Sequence, residues 1–143
     1  MAFAGMLEDR LAIRELYGAY SAAAMSEDRD LYLSFWAEDG VRLSRDAEAC
    51  GKAAIAEQWD GIWSIVGQMG FFTEIAAITV EGTTASAQVY CREIVVLKDG
   101  RVWKLIGRYD DTLEKQAGEW RFKRRVYEIV LNESAAETNT SIS

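Results

Sequence analysis

The chain contains no histidine, so proton movement in any active site it carries must be managed by phenols, carboxylates or guanidinium groups. Tyr17 and Tyr20 stand on the apolar side of an amphipathic segment near the N-terminus, where a ring packs while its hydroxyl addresses a pocket. Ordinary core packing is the competing reading for both. Arg92, Arg108 and Arg125 fall on three consecutive strand patterns, so any of them that points inward would need an anionic partner or ligand. If they point outward they form a surface ladder with Glu93, Asp110, Asp111 or Glu128. Glu74 shares a strand face with Phe72, and burial there would raise its pKa toward that of a general base. The alternative for Glu74 is a solvated charge on an edge strand. Asp28 and Asp30 read first as charges suited to a helix start.

A second group of residues could bind rather than react. Trp36, Trp59 and Trp63, with Phe71, Phe72, Met25 and Met69, supply rings and thioethers for a pocket wall if the helix carrying Trp59 and Trp63 closes over it. Tyr90, on the strand of Arg92, adds a further candidate binding ring. Such a wall favours a flat, apolar ligand over a sugar or phosphate. There is no P-loop, dinucleotide-binding glycine pattern or metal-ligand spacing, and Cys50 and Cys91 are too far apart to form a metal motif. Neither a cofactor nor a metal is expected.

These residues must be positioned by helices followed by long strands. Leu7, Leu11, Ile13, Leu16, Tyr17, Tyr20 and Ala24 recur at helical spacing. A second helix is predicted from about Asp28 to Ala37, capped by Ser26 and ended by Gly40, and a short strand from Val41 to Ser44. Gly51 opens a third helix carrying Ile55, Trp59, Ile62, Trp63 and Val66, which Gly67 and Gly70 close. The period then changes to two, giving strands over Phe71 to Val80, Thr83 to Leu97, Arg101 to Lys115 and Glu119 to Asn132. On the last strand, Arg121, Lys123 and Arg125 are expected on one face and Arg124 on the other. Strands this long must twist or bulge, so the sheet is curved. The expectation is an α+β open barrel of four long antiparallel strands plus a short one, with three N-terminal helices covering its concave side. One domain spans residues 1–133, and residues 134–143 are expected to form a disordered tail.

The formal charge of −7 argues against a nucleic-acid partner, and no segment reaches the ~20 apolar residues of a membrane span. Neither a signal sequence nor a disulfide framework is visible, so a cytoplasmic protein with reduced thiols is expected.

The order of these elements, with Ile13-Arg14-Glu15-Leu16-Tyr17, Phe35-Trp36-Ala37-Glu38-Asp39-Gly40, Gly107-Arg108-Tyr109-Asp110-Asp111 and Trp120-Arg121-Phe122, resembles the SnoaL-like branch of the nuclear transport factor 2-like superfamily. The resemblance covers about residues 6–131. It implies a cone-shaped barrel with a deep apolar pocket, often dimeric or trimeric, that hosts cofactor-independent dehydratases, dehydrochlorinases, isomerases, cyclases and lyases. In the scytalone dehydratase and dehydrochlorinase members an Asp and a His form the catalytic dyad. Here those places fall on Met25 and on Phe71 or Phe72, so the dyad is absent. The basic residue near the end of the last strand matches Arg125.

The reading is therefore a cofactor-independent lyase or isomerase in which Tyr20 or Glu74 takes a proton while Arg125 stabilises the developing phenolate or alkoxide. Its substrate would be an aromatic or polycyclic molecule that loses water or a small carbon fragment. A homodimer or homotrimer is expected. The alternatives are a non-catalytic binding or assembly module and a structural subunit of an oxygenase.

Overall fold

The computed structural model describes residues 2–134, so the expected tail, apart from Ser134, lies outside the described residues. Ser134 itself is engaged: its Oγ accepts the Lys104 amide at 2.6 Å. In chain order the elements are β1 (Phe3–Ala4), α1 (Leu7–Ser26), α2 (Arg29–Ser34), β2 (Trp36–Ser44), β3 (Ala47–Cys50), α3 (Lys52–Ile65), β4 (Val66–Glu81), β5 (Thr84–Leu97), β6 (Val102–Gln116) and β7 (Glu119–Asn132).

The seven strands form one sheet in the order β1-β4-β5-β6-β7-β2-β3. The four long strands follow one another antiparallel, as their turn signals predict. At the two ends the sheet becomes mixed, because β1 pairs parallel with β4 and β2 parallel with β7. The sheet remains open, and α1, α2 and α3 lie against its concave side, giving the cone expected for this α+β class. The core on that side gathers Ile13, Tyr17 and Tyr20 from α1, Ile55 and Trp59 from α3, and Ile78, Val89, Leu113 and Phe122 from the sheet.

Three local departures from the periodicity decide which side chains face inward. The second helix is only six residues long, and its cap is Asp28, whose carboxylate accepts the Leu31 amide at 3.2 Å. Ser26 is instead the last residue of α1, its hydroxyl donating back to the Ala22 carbonyl. The chain leaves α2 before Trp36 because Phe35 and Trp36 join the sheet beside Phe122. Gly40 does not end a helix but lies within β2, where a Cβ would come within 3.0 Å of the Ala37 carbonyl oxygen and the Trp36 ring. Likewise Gly67 and Gly70 sit inside β4, which starts directly after α3.

The third departure is on β7. Phe122 faces Leu113 and Arg124 faces Thr112, so Lys123 is an extra residue in the ladder. Such a bulge shifts the alternation by one. Trp120, Phe122 and Arg125 are consequently buried, whereas Arg124 is exposed. Arg125 therefore does not share the face of Arg121 and Lys123, which form ion pairs with Glu119 and Asp39.

Candidate functional site

Between α1, α2 and α3 and the concave sheet lies a chamber of about 200 Å³. Most of its wall is apolar: Trp59, Ile62 and Trp63 from α3, Val66, Met69 and Phe71 from β4, Val95 from β5, and Trp103 and Leu105 from β6. Each helix faces the chamber through its apolar stripe, and each strand through alternate residues. Tyr32 stacks on Trp59 with centroids 4.3 Å apart, and Tyr20 packs against Tyr32 and Phe71.

The titratable groups of this wall are the four phenols Tyr20, Tyr32, Tyr109 and Tyr127, one guanidinium, Arg42, and one carboxyl, Glu93. Burial pushes the hydroxyls of Tyr32, Tyr109 and Tyr127 upward, so they are protonated donors at neutral pH. Burial also raises the Glu93 carboxyl above its ordinary 4.5, although the Tyr127 hydroxyl, donating at 2.5 Å, and the nearby Arg42 oppose the rise. Burial works against the charge of Arg42, yet the phenols of Tyr109, Tyr32 and Tyr20 more than offset it, and the guanidinium stays protonated. Its Nη1 donates to Gln58 at 2.9 Å, while its Nε has no hydrogen-bond partner. Among the described residues, no carboxylate lies within ion-pair distance of Arg42. A protonated arginine and a perturbed acid thus share an apolar enclosure, an arrangement characteristic of proton transfer with charge development.

Arg42 and Arg125 are neighbours across the parallel β2–β7 pair, and they are treated differently. Arg125 is fully buried, and its Nε donates to Asp111 at 2.8 Å. Asp111 also accepts the Tyr17 hydroxyl at 2.5 Å. The Arg125 guanidinium carbon lies 3.7 Å from the Tyr109 ring centroid, 4.4 Å from that of Phe122 and 4.6 Å from that of Tyr20. Nη1 and Nη2 find no hydrogen-bond partner, so their charge rests on ring faces. Arg125 is beneath the chamber rather than in its wall. Expected to face the pocket as oxyanion stabiliser, it instead spends its Nε on Asp111 and does not line the chamber, and Tyr17 belongs to the same buried cluster.

Of the other expected site residues, Tyr20, Trp59, Trp63 and Phe71 meet in the chamber wall. Glu74 does not: it is exposed on the outer face of the sheet beside Phe72, which is 64% exposed. Phe72 and Glu74 do share a face, as alternation requires, but it is the convex one. Tyr90, Arg92 and Arg108 also point outward, Arg92 pairing with Glu133 at 3.0 Å and Arg108 with Glu128 at 2.7 Å. Met25 projects from the end of α1, and Trp36 is buried behind the wall against Phe122. No cluster of three potential metal ligands occurs among the described residues.

Arg42, Tyr32, Tyr109 and Tyr127 were not among the expected site residues, and Glu93, expected in a surface ladder with the arginines, faces the chamber instead. For Glu93 a signal existed: Val89, Cys91, Val95 and Leu97 alternate along the apolar face of β5, and Glu93 interrupts that series. Asp111 interrupts the β6 series Tyr109 to Leu113 in the same way. Arg42 had no such signal, because the irregular register between Trp36 and Val41 sets its direction.

A family profile described as SnoaL-like domain matches residues 5–126. No curated protein matches the sequence. Among solved structures, a proposed aromatic ring hydroxylase from Novosphingobium aromaticivorans is 28% identical, with 89% of this chain and 92% of that chain aligned at a TM-score of 0.84. An NTF2-like protein with a cystatin-like fold from the same organism is 30% identical over 92% and 88% of the two chains, with a TM-score of 0.76. A proposed scytalone dehydratase, again from that organism, is 24% identical over 88% and 87%, with a TM-score of 0.82, a likeness of fold.

Proposed function

Because the chain belongs to the SnoaL-like domain family, whose cone here encloses an aromatic-walled chamber, we propose that it is a cofactor-independent lyase or isomerase acting on a small aromatic molecule. The observation that carries this reading is the pairing of Glu93 and Arg42 in one apolar wall without a salt bridge between them. The 28% identity to a proposed aromatic ring hydroxylase supports a ring-shaped ligand. A binding module that had merely filled in its site would favour a closed, wholly apolar interior, which the ionisable wall argues against.

Dehydration of a β-hydroxy carbonyl fused to an aromatic ring illustrates the chemistry. The Glu93 carboxylate removes the proton from the carbon beside the carbonyl, and the electron pair moves to the carbonyl oxygen. Arg42, with the phenols around it, stabilises that oxyanion by charge-assisted hydrogen bonds in a water-poor space. Collapse of the enolate forms the carbon-carbon double bond and expels hydroxide, which takes the proton back from Glu93 and leaves as water. Carbon-carbon cleavage, such as deformylation, would use the same oxyanion site.

Exchange of the α-proton for solvent deuterium reads the first step without a known natural substrate. With hydroxylated aryl ketones in D2O, Glu93→Gln should slow exchange by about 10²-fold or more. Exchange by this variant at the wild-type rate would overturn the assignment.

A further inference from the structure

Sharing Arg42 and Tyr127 with the chamber is an outer groove of about 780 Å³. It is lined by Ser44, Arg45 and Asp46 at the β2–β3 turn and by Val126, Glu128 and Ile129 of β7, and Arg42 and Tyr127 line both cavities. The groove exists because β2 stops pairing with β7 at Leu43 and Val126, while β7 continues to Asn132.

The Tyr127 ring is held by three contacts. Its hydroxyl donates to Glu93, and its face leans on Tyr109 with centroids 4.9 Å apart. It also lies on Gly107, where an added Cβ would come 2.1 Å from the ring and 2.6 Å from the hydroxyl oxygen. A side chain at position 107 would therefore push the ring off its seat. Gly107 sits in the middle of β6, where glycine weakens a strand and marks a close approach of another group.

We propose that Tyr127 is the residue that sets the size of the ligand, its ring forming the wall that divides the chamber from the outer groove. The inference rests on the reading of the chamber as the ligand site. At about 200 Å³ the chamber is only somewhat larger than the ~150 Å³ cavity that holds one benzene ring, so it takes one ring or two fused rings. Removal of the partition joins it to a groove whose volume lies in the ~300–1,000 Å³ range of ordinary ligand sites. Three-ring molecules then fit.

Calorimetric titration of wild type, Tyr127→Ala, Tyr127→Leu and Tyr127→Phe with phenol, 1-naphthol and 9-phenanthrol tests this, with circular dichroism checking that each variant is folded. Wild type should bind 1-naphthol at least tenfold more tightly than 9-phenanthrol. Tyr127→Ala should bind 9-phenanthrol at least tenfold more tightly than wild type does. Tyr127→Leu should act in the same direction if the alanine variant does not fold, and Tyr127→Phe, which keeps the ring, should keep the wild-type order. An unchanged size preference in the alanine and leucine variants overturns the role of Tyr127 while leaving the chamber as ligand site. Binding of none of the three phenols by wild type overturns both.

Discussion

Burial works against the charge of both Glu93 and Arg125, but only Arg125 has an opposite charge at ion-pair distance to offset it. Glu93 has a folded pKa above its ordinary 4.5, so its contribution to stability is complete below the unfolded value and is lost as pH rises through the folded one. The ionised carboxyl therefore works against the fold. Glu93→Gln should raise the melting temperature at pH 7 by on the order of a few degrees while slowing turnover by about 10²-fold or more, a trade of activity for stability. The same sign predicts that turnover rises with pH as Glu93 loses its proton, the inflection lying above 4.5 in kcat/KM measured with the wild type and absent from the residual rate of Glu93→Gln. Arg125 is the opposite case. Its loss leaves Asp111 buried without its counter-ion, so Arg125→Ala should destabilise the protein by about 3–5 kcal/mol in urea unfolding.

At the scale of single elements, β4 places two adjacent phenylalanines on opposite faces of the sheet. Phe71→Ala should cost about 3–5 kcal/mol, since it empties part of the chamber wall. Phe72→Ser, on the convex face, should stay within about 0.5 kcal/mol of wild type, and chemical denaturation of the two variants measures the contrast. This pair also shows how far pattern reading reaches. Alternation placed Phe72 and Glu74 together, but which face is concave depends on where the helices pack, and period two carries no information about that. The helical stripes of Tyr20 on α1 and of Trp59 and Trp63 on α3 were legible because amphipathic helices have one apolar side to bury. Arg125 was misplaced because one extra residue, Lys123, shifts the count along β7. Glu93 was readable as an acid interrupting an apolar series, and Arg42 was not, since an irregular pairing directs it.

Across the whole molecule, strand β2, from the first third of the sequence, joins the long strands of the sheet through β7, the last strand. Arg42 therefore reaches the chamber through a contact that spans most of the chain. Closing so large a loop before its pairing is rewarded is slow, and folds dominated by such distant pairings form in milliseconds to seconds. In chain order the helices and β4 to β6 precede β7, so Arg42 is synthesised long before the strand that seats it. In stopped-flow refolding, the signal of Trp36, which sits at the start of that junction, should mature with the slowest phase and coincide with the recovery of ligand binding.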